Sequence, residues 1–306
     1  RGFKVKAEDT YGYIRISTLP VTYKTIPGPS LTLTESTIFA GTDAKKGVPV
    51  QIESVRGVHE VVIYRIENGS EVEALRETKN GEHTLNYAPE IDFTEATSKL
   101  KVVVSDGREG KEAIGYMKAY VNMDVATLNV GSQPLANNAH VKYPDAFGMV
   151  SLNDLKTYSV DYAIANEVNA KNVDFKFYCF GASGSPRLYS MDNTGKDGEF
   201  SGSTGKLSAI KVKNLTRFAI LSNFDYENAT VASISSEILS SSIAQSLLDP
   251  IAVGNVIAFR TGGSSAAGGG RIGVMKVINI TEPKELVSNN ATARVMTVEI
   301  KFPKKK

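Results

Sequence analysis

The sequence has no tryptophan, one cysteine and three histidines among 306 residues. A single cysteine cannot form an internal disulfide and cannot supply the paired thiolates of a structural zinc site. Cys179 lies inside the apolar run FKFYCF at 175–180, and no histidine is near it in sequence. We therefore predict a buried structural thiol rather than a catalytic nucleophile. No apolar stretch approaches the ~18–20 residues that a membrane helix needs.

The chain also lacks an excess of charge of either sign. The 35 Lys and Arg residues nearly balance the 33 Asp and Glu residues, and both kinds are scattered along the chain. A nucleic-acid-binding protein concentrates its basic residues on one face or element. The one dense basic cluster, Lys301 and residues 304–306, closes the sequence and predicts a solvated tail. We therefore predict no nucleic-acid partner.

What the sequence does contain is the two-residue periodicity of β-strands. Residues 48–55 alternate apolar with polar, and residues 59–66 are rich in β-branched and aromatic side chains. Asn68-Gly69 follows the second segment, and this pair is typical of a tight hairpin turn. Strand signals recur every 8–12 residues with turn residues between them, which favours a sandwich or barrel.

The length of the chain predicts two domains, at roughly 100–200 residues for each. A hinge-like IPGP segment stands at 26–29, and beyond 123–124 the loops become longer and richer in Ser, Asn and Gly. We therefore predict an N-terminal hairpin at 1–24, an immunoglobulin-like sandwich at 25–124 and a β-rich domain at 125–306.

The first residues repeat a pattern found later in the chain. Residues 3–23 read as strand, Asp/Gly turn and strand, and so do residues 100–121. Either the first copy closes a domain upstream of this sequence, or residues 1–24 pair into the first sandwich. We favour the second interpretation, because an isolated hairpin is only marginally stable in water.

The second half predicts further strands and one helix. Residues 235–248 have apolar side chains near helical spacing, with Ser235 or Ser236 as a cap and Pro250 as a stop. Strands are predicted at 157–163, 173–180, 256–259, 274–278 and 295–300. The predicted fold class is mainly β, with an N-terminal immunoglobulin-like β-sandwich and a second sandwich-like or jelly-roll-like domain that carries one short helix.

Two glycine-rich segments resemble nucleotide-binding motifs but lack their context. GGGRIG at 268–273 matches GxGxxG, yet a strand follows it where the motif needs a helix. GSTGK at 202–206 resembles part of a phosphate loop, but Phe200 and Leu207 occupy the positions of the required glycine and hydroxyl residue. We predict a hairpin loop at the first segment and no nucleotide at either.

Asp192, Asp197 and Glu199 are the candidate metal ligands. They lie in an oxygen-rich segment whose glycines permit tight turns, and calcium prefers several such oxygens. However, Lys196 falls where a calcium loop would place a ligand, and turn chemistry explains the same residues. We therefore predict no cofactor, with calcium bound by these three carboxylates as the weaker alternative.

Tyr178, Tyr189 and Tyr226 are the candidate binding residues. Each lies near a polar loop, where an aromatic ring could stack on a sugar. The competing interpretation is that these tyrosines are half-buried on a sheet face, which suits strands.

The C-terminal region carries a family resemblance. GNVIAFRT at 254–261, GRIGVMKV at 270–277 and MTVEIKF at 296–302 resemble the closing strands of surface lipoproteins from gut Bacteroidetes, with Asn255 in place of the usual acidic residue. The first half is similar to bacterial immunoglobulin-like modules. The resemblance implies export, a β-sandwich fold and a lipid-anchored cysteine upstream of Arg1. It implies no catalytic residues, because such proteins are mostly of unknown activity.

These observations predict a non-catalytic protein of the cell surface or periplasm that binds glycans or a surface protein. No catalytic constellation is visible, so an enzyme is the less favoured class. A glycoside hydrolase, or an accessory module of one, stays open because paired carboxylates are recognised only in space. A structural adhesin or stalk component is the third alternative.

Overall fold

The computed structural model describes residues 2–20 and 25–305, with side chains for 4–18 and 25–305. The chain is mainly β and has three short α-helices in these ranges, which confirms the predicted class. None of the helices in the described ranges has the length and apolar character needed to span a bilayer.

The N-terminal hairpin stands apart from the sandwiches. Strands β1 (Gly2–Glu8) and β2 (Ile14–Pro20) pair antiparallel with each other and with no other described strand. The expectation that residues 1–24 pair into the first sandwich is therefore wrong for residues 2–20. Residues 1 and 21–24 lie outside the described part of the chain.

The first sandwich has ten strands. One sheet has the order β4-β12-β11-β7-β8 and faces a second sheet with the order β3-β6-β9, while β5 and β10 form a short separate pair. Strand β4 runs parallel to β12, and the other pairs are antiparallel. This is the strand order of an immunoglobulin-like sandwich. The strands are β3 (Ser30–Leu33), β4 (Thr37–Ala40), β5 (Lys46–Gly47), β6 (Val50–Glu53), β7 (Glu60–Glu67), β8 (Ser70–Thr78), β9 (Thr84–Tyr87), β10 (Glu90–Ile91), β11 (Thr97–Ser105) and β12 (Glu112–Val121).

Alternation of side chains builds the core of this unit. Leu100, Val102 and Val104 on β11 are fully buried between the sheets. Burying each such side chain contributes about 1.5–3 kcal/mol. The predicted Asn68-Gly69 turn joins β7 to β8 with positive φ angles of 51° and 81°, as a two-residue hairpin requires.

The second unit is a larger sandwich. One sheet has the order β13-β22-β21-β20-β18 and the other has the order β15-β14-β16-β17-β19. The segments that resemble the lipoprotein ending form β20, β21 and β22, three neighbours in the first of these sheets. Its elements are β13 (Met123–Gly131), β14 (Met149–Ser151), β15 (Lys156–Tyr158), α1 (Val160–Ala165), α2 (Glu167–Lys171), β16 (Phe175–Phe180), β17 (Ser185–Ser190), β18 (Arg217–Leu221), α3 (Val231–Glu237), β19 (Leu247–Leu248), β20 (Val256–Arg260), β21 (Ile272–Ile280) and β22 (Val295–Pro303).

Both sheets of the second unit are covered on both faces. Phenylalanines from the two sheets fill the layer between them, namely Phe175, Phe177, Phe218, Phe259 and Phe302. Helices α1 and α2 cover the outer face of the sheet that contains β16. Helix α3 covers the outer face of the other sheet and also packs on Tyr120 and Met123 at the end of the first unit. A continuous apolar cluster therefore joins the two units.

Helix positions differ from the sequence predictions. The described residues form three α-helices where one was predicted. The helix predicted at 235–248 is wrong beyond Glu237, because α3 (Val231–Glu237) begins earlier and ends there, and residues 247–248 form β19. Thr230 caps α3 through a reciprocal hydrogen-bonded pair with Ser233. The strand predicted at 157–163 ends at Tyr158, because Ser159 accepts a hydrogen bond from the Tyr162 N–H group and starts α1. In each case a capping side chain outweighs the residue periodicity.

A single residue, Asn122, separates β12 from β13, and it anchors the junction. Its N–H group donates to the Ala40 carbonyl at 2.9 Å, and its carbonyl accepts from the Lys304 N–H group at 2.7 Å. Its side-chain amide donates to Glu95 at 3.1 Å, and the Glu95 carbonyl accepts from the Ala232 N–H group of α3. These bonds tie strand ends of both units and α3 to one point.

Candidate functional site: a cleft between the two sandwiches

A cleft of about 500 Å³ opens where the two sandwiches meet. The first unit contributes the Asn68-Gly69 turn and the start of β11, and the second contributes the loop before α3 together with the helix. Clefts between domains are frequent ligand sites, because each domain supplies one wall.

The wall from the first unit is held by backbone geometry. The two-residue turn leaves Asn68 exposed at the rim. Ser98 donates its hydroxyl to the Ile66 carbonyl at 3.2 Å and so fixes the start of β11 against β7. Lys99 follows it and lines the cleft with a part-buried side chain. This wall offers an amide and an ammonium group.

The wall from the second unit carries a carboxylate that its own loop stabilises. Asp225 accepts hydrogen bonds from the Asn228 N–H group at 3.2 Å and from the Asn228 side-chain amide at 2.7 Å. These bonds hold the pKa of Asp225 below its usual range, so the group is ionised at neutral pH. The Oδ1 atom of Asn228 is buried and has no hydrogen-bond partner in the described part of the chain.

Helix α3 completes this wall. Thr230 and Ser233 line the cleft, and their hydroxyl groups form the capping pair that fixes the start of the helix. Glu237 ends the helix with an exposed side chain. The lining thus combines amide, hydroxyl, carboxylate and ammonium groups with the apolar Ile66 and Ala96, and none of the lining residues is aromatic. Such a surface can bind a hydroxyl-rich ligand through hydrogen bonds rather than through stacking.

The tyrosines proposed from the sequence do not form a binding surface. Tyr178, Tyr189 and Tyr226 are only 2%, 4% and 3% exposed. The Tyr178 hydroxyl donates to Glu199 at 2.5 Å, and burial together with this carboxylate raises the pKa of Tyr178 to about 12. The prediction of an aromatic platform is corrected accordingly, because the helices and loops that cover both sheets enclose these rings.

The three candidate metal ligands point to three different cations. Asp192 pairs with Arg217 at 2.8 Å. Asp197 pairs with the buried Lys176 at 2.6 Å, and Glu199 pairs with Lys196 at 2.9 Å. Among the described residues, no group of three or more His, Cys, Asp or Glu side chains is placed to hold a metal ion.

The GSTGK segment at 202–206 binds the side-chain carboxylate of Asp161 from the same chain. The N–H groups of Ser203 and Thr204 each donate to the Asp161 carboxylate at 3.1 Å, and both hydroxyl groups donate to it as well. These bonds hold the pKa of Asp161 well below its usual range. The loop therefore anchors α1, where a phosphate loop would hold a nucleotide.

Sequence reasoning missed the cleft because its walls are far apart along the chain. The Asn68-Gly69 pair was recognised only as a turn. The Asp225 and Asn228 pair, followed by the Thr230 and Ser233 cap, is a readable turn-then-helix signal that could have located the second wall. No sequence signal places the two walls together.

Comparisons with known proteins add little. No protein-family description and no curated protein matches the chain. Among solved structures, it aligns with the N-terminal eight Ig domains of Down Syndrome Cell Adhesion Molecule (isoform 1.30.30) at 9% identity, over 90% of this chain and 30% of that chain. The TM-score of 0.22 does not establish a shared fold. The immunoglobulin-like character of the first unit rests on its strand order.

Proposed function

We propose that this chain is a non-catalytic binding protein of the cell surface or periplasm, and that the cleft between its sandwiches binds a glycan. The observation that carries the proposal is the set of hydrogen-bonding groups that both units place in the cleft, beside the apolar Ile66 and Ala96. Sugar hydroxyl groups both donate and accept hydrogen bonds, and the lining presents Asn68 and Lys99 as donors and Asp225 and Glu237 as acceptors.

The hydrogen-bonded junction around Asn122 supports binding in the cleft. Asn122 and Glu95 bond the two units together beside α3, so the two walls are held before a ligand arrives. A preorganised site spends less of its binding free energy on ordering itself.

Asp225 does not fit the role of the general acid in glycoside hydrolysis. Glycoside cleavage by a carboxyl pair needs one acid that keeps its proton near neutral pH, through a raised pKa. The pKa of Asp225 is instead lowered by its bonds to Asn228. An ionised carboxylate of this kind accepts hydrogen bonds from a sugar but cannot protonate a leaving group.

Export and a surface location rest on the resemblance of β20, β21 and β22 to the lipoprotein ending, and so does a lipid anchor. The same location accommodates a surface protein as the alternative partner. The cleft favours the glycan, because its polar walls and moderate volume suit a short sugar chain better than a folded protein.

A glycan array followed by calorimetry tests the proposal. We expect the purified chain to bind one polysaccharide class, and both Lys99→Met and Glu237→Gln to weaken that binding about tenfold or more, as loss of a charged hydrogen bond predicts. Lys101→Met is the matched control, since Lys101 lies two residues along β11 and pairs with Glu71. An empty array, or binding that is indifferent to both cleft variants, contradicts the proposal.

A further inference from the structure

The N-terminal hairpin exposes apolar side chains without a partner. Val5, Ile14 and Ile16 are 47%, 53% and 62% exposed, and β1 and β2 pair with no other described strand. A two-stranded hairpin is marginal in water without a surface to pack on. Val5 lies on one face of this hairpin, and Ile14 and Ile16 lie on the other. What covers this hairpin can be argued from a second hairpin in the same chain.

The hairpin of β1 and β2 has the register of the hairpin of β11 and β12. The last pair before the first turn is Glu8 with Ile14, and the corresponding pair in the second hairpin is Ser105 with Glu112. Aligned on these pairs, Val5 takes the position of Val102. The turns span 9–13 and 106–111, so the two hairpins differ in length by one residue.

The residues at matching positions are also alike. Lys4, Val5 and Ile16 align with Lys101, Val102 and Ile114, which are the same residue types. Ile114 faces outward from the first sandwich and is 53% exposed, close to the 62% of Ile16.

The inward positions differ in burial and in part in residue type. Val5 matches Val102, but Ala7, Arg15 and Ser17 stand where the second hairpin has Val104, Ala113 and Gly115. Val102 and Val104 point between the two sheets and are fully buried. The matching residues are Val5, which is 47% exposed, and Ala7, which is also exposed. On its β1 half the hairpin thus presents the small apolar side chains of a sandwich hairpin without the facing sheet.

We propose that residues 2–20 are the closing strand pair of another immunoglobulin-like sandwich, placed before the one at 30–121 in a tandem array. The occupant of the face formed by Val5 and Ala7 is the rest of that sandwich. By the pairing of β11 and β12, β1 takes an antiparallel neighbour equivalent to β7, and β2 takes a parallel neighbour equivalent to β4.

The linker supports an end-to-end arrangement. Arg108, in the turn between β11 and β12, donates to the carbonyls of Ile26 and Pro27 at 3.2 and 2.9 Å. The Asp106 carboxylate accepts three further hydrogen bonds from the Arg108 guanidinium. This turn is at the end of β12 opposite to Asn122, so the chain enters the first sandwich at one end and leaves it at the other.

The proposal is tested by replacing the hairpin of β11 and β12 with the hairpin of β1 and β2 within the 306-residue chain. The replacement shows whether the inward and outward faces of the N-terminal hairpin fit the closing position of a sandwich. Residues 101–116 are replaced by residues 4–18, in register. The transplant has Gly in place of Ser17, because a Cβ atom at the matching Gly115 would approach Leu33 Cδ1 to 3.0 Å. The control transplant has the same composition but is shifted by one residue, which exchanges the inward and outward faces.

Amide exchange of β7, the neighbour of β11, is the readout. We expect the in-register transplant to keep β7 protected at least tenfold above the shifted control. Equal, fast exchange in both transplants overturns the proposal. Sedimentation of the wild type and of Val5→Lys decides the occupant. We expect a monomer in both, whereas a dimer that Val5→Lys dissociates would make a second copy the occupant and also overturn the proposal.

Discussion

The Nζ atom of Lys176 lies 2.6 Å from the Oδ1 atom of Asp197, with 0% and 3% of the two side chains exposed. The ammonium also donates to the Asn193 carbonyl at 3.0 Å. Burial lowers the pKa of Lys176, and the charge of Asp197 opposes that shift. Asp197 is therefore the main counter-charge of the buried Lys176 ammonium, and Lys213 lies 4.0 Å from the other oxygen of Asp197.

Removing one partner of this pair should strongly destabilise the protein. Asp197→Ala leaves a buried ammonium without its counter-charge, and we expect the free energy of unfolding to fall by about 3–5 kcal/mol. Replacing both partners, as Lys176→Met with Asp197→Leu, should cost much less, since no buried charge remains. Urea unfolding followed by far-UV circular dichroism measures both variants.

The matched control for this experiment is the surface pair of Lys171 and Glu167, 2.6 Å apart on α2. Both side chains are well exposed, so Glu167→Ala should unfold within error of the wild type. A loss for Asp197→Ala no larger than that of this control would show that the buried pair does not stabilise the fold.

Asp174 should make the protein less stable as the pH rises. Its side chain is fully buried just before β16. Oδ2 accepts from the Leu152 N–H group at 2.8 Å, and Oδ1 has no hydrogen-bond partner among the described residues. Burial raises the pKa of Asp174 from 3.8 to about 6. Between these values the folded state keeps a proton that the unfolded state has lost, so stability falls from about pH 4 to above pH 6.

The size of this effect is about 3 kcal/mol, at about 1.4 kcal/mol for each unit of pKa. Asp174→Asn keeps an acceptor for the Leu152 N–H group and removes the titration. Part of this loss already occurs below pH 4.5, so we expect the stability of Asp174→Asn relative to the wild type to increase by about 2 kcal/mol between pH 4.5 and pH 7.5 in urea unfolding. Other titrating groups cancel in the difference between the two proteins. A constant difference at both pH values would contradict the assignment.

The sequence predicts the first sandwich well because central strands such as β6 and β11 alternate buried with more exposed side chains. The alternation around Val102 is compatible only with a strand that has one buried face, and the Asn68-Gly69 pair is compatible only with a tight hairpin turn. The second sandwich is harder to predict from the sequence. Its sheets are buried on both faces, so apolar and polar residues no longer alternate along its strands. Ser159 and Thr230 then set the helix starts by capping, a local signal that the periodicity hid.

The candidate site is less accessible to sequence reasoning. Tyr178 and Tyr189 lie near polar loops in the sequence, but burial of their rings is decided by α1 and α2, which pack over that sheet. The cleft unites Lys99 with Glu237, which are more than a hundred positions apart. Neither propensity nor periodicity carries information about such a pairing between units.

Asp161 should control the order of the GSTGK loop. The N–H groups of Ser203 and Thr204 have this carboxylate as their acceptor. In Asp161→Ala they lose it, and we expect amide exchange across 202–206 to rise at least tenfold in mass-spectrometric measurements. Asp154→Ala is the control, because that carboxylate bonds Tyr158 and Asn172 instead. Unchanged exchange in the Asp161 variant would mean that other contacts hold the loop.

Cys179 should report the opening of the second sandwich. It is the one cysteine of the chain and is fully buried between the sheets, as predicted from the sequence. Burial raises the pKa of its thiol to about 12, so almost no reactive thiolate exists at pH 8. We expect a thiol reagent to leave the native protein unlabelled and to react fully in concentrated urea. Asp197→Ala should speed labelling at low urea, because it weakens the same unit.

Val102→Ala, a cavity in the core of the first sandwich, serves as the control for this labelling experiment. If the second sandwich opens by itself, this variant should leave the rate at Cys179 unchanged. Equal acceleration by both variants would show instead that the two units open together, as the apolar cluster of Tyr120 and Met123 with α3 permits. Rapid labelling of the native wild type would contradict the buried position of the thiol itself.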